Sequence, residues 1–205
     1  MQMAVVLLVS LLTSCLLVIL GDGQRTTCRF VANPSARKTI IERGGGKEIW
    51  LLMSTSPEAK KCLKGERTGP VQGRRIQIPM RYKENNVWKN ETWHYYMPPQ
   101  NRSIMQVTYA YSSGINMDLC RGIEKYPEGT CTIVCQGSTI ENVLVDYTYE
   151  RWTCFVTRKG HNVFELWKRS GANRKDLKCC KIRFDRQRRE RKATYLQKNC
   201  SSTAA

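Results

Sequence analysis

The chain has 205 residues, with 34 Lys and Arg against 17 Asp and Glu for a formal net charge of +17, and ten cysteines but two histidines. That length suits one domain with a single core. The two histidines, His94 and His161, offer little from which to build a hydrolytic triad or a zinc site; neither lies in a catalytic motif and no paired C-x-x-C spacing points to a metal. A binding protein rather than an enzyme is expected, with no metal and no cofactor.

The run from Ala4 to Leu20 is almost unbroken in its apolar character and ends in the small residues Gly21 and Gly23. This is the form of a secretory signal peptide over 1–23, leaving 24–205 as a secreted, extracellular domain. A membrane anchor is the rival reading, since the run is near the lower length for a span; its terminal place and small-residue exit favour cleavage, and no membrane attachment is expected. In an exported chain cysteines are structural disulfides first. Cys15 leaves with the signal and nine remain, so at least one is unpaired or bonds outside the chain. Asn90, Asn101 and Asn199 stand in glycosylation sequons, as a secreted glycoprotein would use.

After the flexible entry Gly44-Gly45-Gly46, short runs rich in Tyr, Trp, Val, Ile and Thr alternate with turn residues. They predict strands over 48–54, 60–64, 74–82, 87–97, 104–112, 143–149, 152–158 and 163–168. Eight strands in meander order suggest a closed antiparallel barrel; a two-sheet sandwich has the same periodicity, and the pattern leaves both open. If Asn90 carries a glycan it faces solvent, and period-2 parity then turns Trp88, Thr92, His94 and Tyr96 outward and Lys89, Glu91, Trp93 and Tyr95 inward. Met105, Val107, Tyr109 and Tyr111, and later Val143, Val145, Tyr147 and Tyr149, form the more apolar faces of their strands. Walls of this kind suit a small amphiphilic ligand, because aromatic faces bury area while phenol and indole groups orient it; they suit an ordinary packed core equally.

Ser170 and Gly171 break the last strand, and Asn173 is placed to cap a helix over 173–188 with Leu177, Cys180, Ile182 and Phe184 as its apolar members and a basic opposite surface. Cys179 and Cys180 are adjacent. Neighbouring Cα atoms sit about 3.8 Å apart, less than the roughly 4.4 to 6.8 Å an unstrained disulfide spans, so each sulfur is expected to reach a different distant partner.

Glu165-Leu166-Trp167, then eleven residues, then Cys179-Cys180, a closing Tyr195 and Cys200, with Cys154 opening the preceding strand: this combination resembles the tick salivary lipocalins, the family of the tick histamine-binding proteins. The likeness is close over the C-terminal third and rests on strand layout elsewhere, with Trp50 on the first strand and Cys62 on the second. It implies an all-β fold with one C-terminal helix, an eight-stranded antiparallel lipocalin barrel stapled by disulfides. The implied pairs are Cys62 with Cys200, Cys154 with Cys179 and Cys28 with Cys180. Cys120, Cys131 and Cys135 have no counterparts; two of them could close a local loop.

The resemblance also implies a role: stoichiometric capture, by a monomer in tick saliva, of a small host inflammatory or haemostatic mediator, which serves host defence evasion. The mediator would be a biogenic amine such as histamine or serotonin, or an eicosanoid. Candidate ligand-facing residues are Trp50, Glu91, Trp93, Tyr95, Tyr109, Tyr147, Glu165 and Trp167. The family's amine-binding pattern has an acid immediately after the cysteine matching Cys154; here that position is Phe155. Glu165 and Glu91 remain as counter-ions. The charge balance points the other way, since a positive field draws anions and repels cations. It favours a fatty-acid-like carboxylate, an anionic glycan or an acidic host protein. The densest basic run, RFDRQRRERK over 183–192, is a candidate surface for heparin, a platelet surface or a complement protein. Nucleic acid is not expected of an exported chain without a recognition motif.

Overall fold

The computed structural model describes residues 28–42, 48–67, 71–108, 123–125, 131–135, 138–160 and 162–200. The expected signal segment, Tyr109, Tyr111, Cys120 and His161 lie outside them. Strands run in the order β1 (Ile49–Ser54), β2 (Lys61–Gly65), β3 (Arg75–Glu84), β4 (Val87–Tyr96), β5 (Ile104–Thr108), β6 (Ile123–Lys125), β7 (Cys131–Cys135), β8 (Ser138–Thr148), β9 (Cys154–Lys159) and β10 (Val163–Arg169). The helix α1 (Arg174–Arg188) and the short strand β11 (Thr194–Tyr195) follow.

Every ladder between neighbouring strands is antiparallel, and two of them close the sheet on itself: β1 pairs β10 and β5 pairs β8. A two-sheet sandwich lacks that closure, so the eight strands β1–β5 and β8–β10 form a barrel whose edges are paired off. The pair β6 and β7 extends the sheet beyond β8. These strands and the first five residues of β8 lay outside the expected elements.

Local chemistry explains the longest hairpin. β3 and β4 pair over ten residues and turn at Asn85-Asn86, both at positive φ (50° and 64°), the left-handed pair that a tight hairpin needs and that asparagine tolerates. At the other end of β2, Gly65 lies against β3 so closely that a Cβ there would collide with Met80 Sδ. A larger residue there would have to displace the Met80 side chain and press on Pro79 O at 3.0 Å, so the close approach favours glycine.

Two apolar clusters divide the molecule. One fills the barrel and includes Leu51, Ile78, Met80, Trp93, Tyr95, Val107, Val143, Val145, Phe155 and Trp167. The other lies between the barrel's outer face and α1, and gathers Leu52, Tyr147, Tyr149, Val156, Phe164, Leu166 and Phe184 around Cys154, Cys179 and Cys180. Asn173 caps α1 as expected, its side chain accepting from the Asp176 N–H at 2.9 Å. Ile182 departs from expectation: it stands 37% exposed, because two steps of 100° from Cys180 carry it off the packed face.

The disulfide pairing corrects the expectation. Cys62 bonds Cys200 as the resemblance implied, but Cys28 bonds Cys179 and Cys154 bonds Cys180. Consecutive helical residues diverge by about 100°. Cys180 meets β9 at a Cα separation of 6.2 Å, while Cys179 meets the incoming N-terminal segment at 5.5 Å. The expectation that the adjacent cysteines take different partners stands; the partners are exchanged.

The N-terminal segment crosses one end of the barrel, here termed the floor. Phe30 bridges to Tyr149, the Val31 N–H donates to Thr148 O at 3.1 Å, and the hydroxyls of Thr39 and Thr148 lie 3.1 Å apart. The turns after β2, β4 and β8 lie at this end, those after β1, β3 and β9 at the other.

Candidate functional site

Four aromatic side chains meet inside the barrel. Phe155 stacks on Trp167 (ring centroids 6.1 Å, planes 5° apart), Trp167 meets Trp93 edge-on at 6.4 Å, and Trp93 lies 6.3 Å from Tyr95. β4 supplies Trp93 and Tyr95 because its alternation holds from Asn90 onward: Glu91, Trp93 and Tyr95 are buried, while Asn90 and Thr92 are exposed; Lys89, expected inward, is exposed at the open end of the strand. β9 and β10 supply Phe155 and Trp167 from directly paired positions.

Above this layer sits a polar group. Glu165, only 3% exposed, accepts hydrogen bonds at Oε2 from Trp167 Nε1 (3.2 Å) and Thr157 Oγ1 (3.2 Å), and its Oε1 lies 3.0 Å from Lys159 Nζ. Lys159 also approaches Glu141 at 3.7 Å and the Trp93 ring at 5.6 Å. Burial disfavours its ammonium, but the carboxylates of Glu165 and Glu141 outweigh that and hold its pKa above the ordinary lysine value. The lysine therefore stays charged. Glu91 is likewise occupied: Lys60 pairs with it and lies 4.0 Å over the Tyr82 ring.

Of the expected ligand-facing residues, Glu91, Trp93, Tyr95, Glu165 and Trp167 are thus brought together inside the barrel, and Tyr109 lies outside the described residues. Two are placed elsewhere. Trp50 faces outward, with Lys64 at 4.7 Å and Lys168 at 5.4 Å from its ring, since it has the parity opposite to the inward residues Ile49 and Leu51. Tyr147 belongs to the helix-side cluster, edge-on to Phe30 at 4.5 Å and beneath the Arg183 guanidinium at 5.9 Å. The cause is a bulge between Val145 and Tyr147, which advances the register by one residue, turning Tyr147 outward and Thr148 inward. Burial pushes the Tyr147 phenol pKa up, against the pull of Arg183.

Sequence reasoning missed Thr157, Lys159 and Lys60. The first two share inward parity with Phe155, so the signal was a lysine on the core face of a strand. His94 lies on the outer face of β4, its pKa lowered by burial. At the floor, Arg169 is 2% exposed, its guanidinium has no hydrogen-bond partner among the described residues, and desolvation pulls its pKa down to about 10.

A closed eight-stranded antiparallel barrel with one flanking helix and an N-terminal segment across its floor is the lipocalin fold. The solved structure of AM182 in complex with serotonin shares it, with a TM-score of 0.59 at 18% identity over 86% of this chain and 97% of that one. So does apocrustacyanin C1, with a TM-score of 0.51 at 12% identity over 82% of this chain and 81% of that one. No protein-family model matches the chain. Moubatin of Ornithodoros moubata, 23% identical over 155 residues that make up 75% of this chain and 73% of its own, is a tick lipocalin and a homologue of this protein.

Proposed function

We propose that the protein is a secreted lipocalin, exported by its 1–23 segment, that captures a fatty-acid-derived mediator of host inflammation or haemostasis by binding without turnover. The observation that carries this reading is the state of the interior carboxylates. Glu165 is satisfied by Lys159, Trp167 and Thr157, Glu91 is paired with Lys60, and the position of the third acid holds Phe155, stacked on Trp167. An amine ligand would have to displace a tethered lysine from either carboxylate. An apolar chain needs only the aromatic faces of Trp93, Tyr95, Phe155 and Trp167. The charge of +17 assists encounter with an anion.

The serotonin complex of AM182 supports small-molecule capture in a barrel of this shape and keeps an amine as the rival ligand. Calorimetric titration with arachidonate, leukotriene, serotonin and histamine separates the two. The carboxylate lipids should bind one to one and the amines should give no saturable heat; saturable amine binding with no lipid binding would reverse the assignment.

A further inference from the structure

We propose a second binding site, outside the barrel at its floor, that takes a sulfated saccharide. A cavity of about 470 Å³ lies between the N-terminal segment, the start of β3, the loop from β4 to β5 and the turn from β8 to β9. Its rim carries four cations, Arg37, Lys38, Arg74 and Arg102, against one carboxylate, Glu42. Arg37 is committed to Glu42 at 3.2 Å and to Gly73 O at 3.4 Å. The side chains of Lys38, Arg74 and Arg102 have no partner among the described residues, so three charges remain for a ligand.

These cations come from three separate segments of the chain. Spread charges match several anionic groups held apart on a rigid scaffold better than one phosphate. The neutral lining completes the match, since Asn33 and Ser35 offer hydroxyl partners while Pro98, Pro99 and Trp152 supply flat apolar faces for sugar rings. The site is preformed. The segment 31–38 is held by the Ala36 N–H to Arg102 O (2.7 Å), by Ser103 Oγ to Pro34 O (2.8 Å), and through Cys28 by the bond to Cys179. The equally large cavity at the other end is lined by Lys60, Lys61, Lys83 and Lys198 against Glu58 and Glu84, and with Lys60 committed to Glu91 it is closer to neutral.

The site does not depend on the lipid reading, because none of Trp93, Tyr95, Phe155 and Trp167 lines the floor cavity. A heparin-derived tetrasaccharide, titrated calorimetrically into the full mature protein at low and high salt, tests it. Binding should weaken steeply with salt and be absent for the desulfated tetrasaccharide. The Arg74→Ser/Arg102→Ser variant should lose at least tenfold in affinity while melting like wild type and binding arachidonate as before. The Arg186→Ser/Arg189→Ser variant at the C-terminal end of α1 should change affinity less than twofold. The proposal is overturned if the tetrasaccharide does not bind, if the desulfated sugar binds equally, or if the α1 variant loses affinity and the floor variant does not. Should the floor variant misfold, Lys38→Gln, on an exposed side chain, must show a graded loss instead.

Discussion

Lys159 Nζ lies 3.0 Å from Glu165 Oε1 inside the barrel, the lysine one-fifth exposed and the carboxylate almost wholly buried. The pair sits where a charged ligand would find its counter-ion, and its two members cancel one another. Removing one partner strands the other, whereas removing both leaves a neutral wall.

Lys159→Met should therefore destabilise the fold by about 3 kcal/mol, the lower end for breaking a buried pair. Lys159→Met/Glu165→Gln should recover most of that loss, as read from urea denaturation midpoints. The sign of the pH dependence follows from the raised lysine pKa: the contribution is complete below the unfolded value near 10.4 and fades only as pH rises through the higher folded value. The difference between wild type and Lys159→Met/Glu165→Gln, which strands no carboxylate, should be constant across the neutral range; a difference that vanished between pH 6 and pH 8, in roughly that window, would contradict the pairing.

Phe155→Ala deletes the ring stacked on Trp167. It should cost about 3–5 kcal/mol in stability, shift the tryptophan emission and weaken arachidonate binding. An unchanged emission spectrum would mean that the two rings do not stack in solution.

The staples carry their own test. In an unreduced tryptic digest, gas-phase cleavage between Cys179 and Cys180 should separate the Cys28 peptide joined to Cys179 from the Cys154 peptide joined to Cys180. Replacing Cys28 and Cys179 together by Ala should cost about 2–5 kcal/mol and release amide protection in 31–42 while β9 stays protected. Recovery of Cys28 joined to Cys180 would restore the pairing that the family likeness implied.

Acid should loosen α1 from its C-terminal half. Burial works to raise the Asp185 pKa, but hydrogen bonds from Lys181 (2.5 Å) and Arg188 (2.9 Å) outweigh it and hold the carboxyl below its ordinary range. Its stabilisation is present above the unfolded pKa near 3.9 and is lost as pH falls through the folded one. The group is about one-third exposed, so the effect should stay under about 1 kcal/mol. Asp185→Asn should abolish it in helix-specific hydrogen exchange; an equal acid response in that variant would place the sensitive group elsewhere.

Much of this arrangement was legible in the sequence. Period-2 parity on β4 placed Glu91, Trp93 and Tyr95 inside, and Asn173 marked the helix start, because each of these signals is local. What failed was non-local. The bulge at Asp146 that turns Tyr147 toward α1 leaves no mark in the alternation of the strand itself. Trp50 reads as a core residue by type, yet its ring lies on the outer face, partly covered by Lys64 and Lys168. The exchange of partners at Cys179 and Cys180 depends on how α1 is rotated against β9, which adjacency in the chain does not state. Lys159 was hidden for a different reason: a lysine reads as a surface residue until its carboxylate partners are in place.

The central claim is that a fatty-acid-derived ligand binds inside the barrel against Trp93, Phe155 and Trp167. An isotope-filtered NOE experiment with carbon-13-labelled arachidonate and unlabelled protein tests it most directly. The account predicts cross-peaks from the acyl chain to the ring protons of these three residues. Cross-peaks confined to the outer face of α1 or to the floor would contradict it.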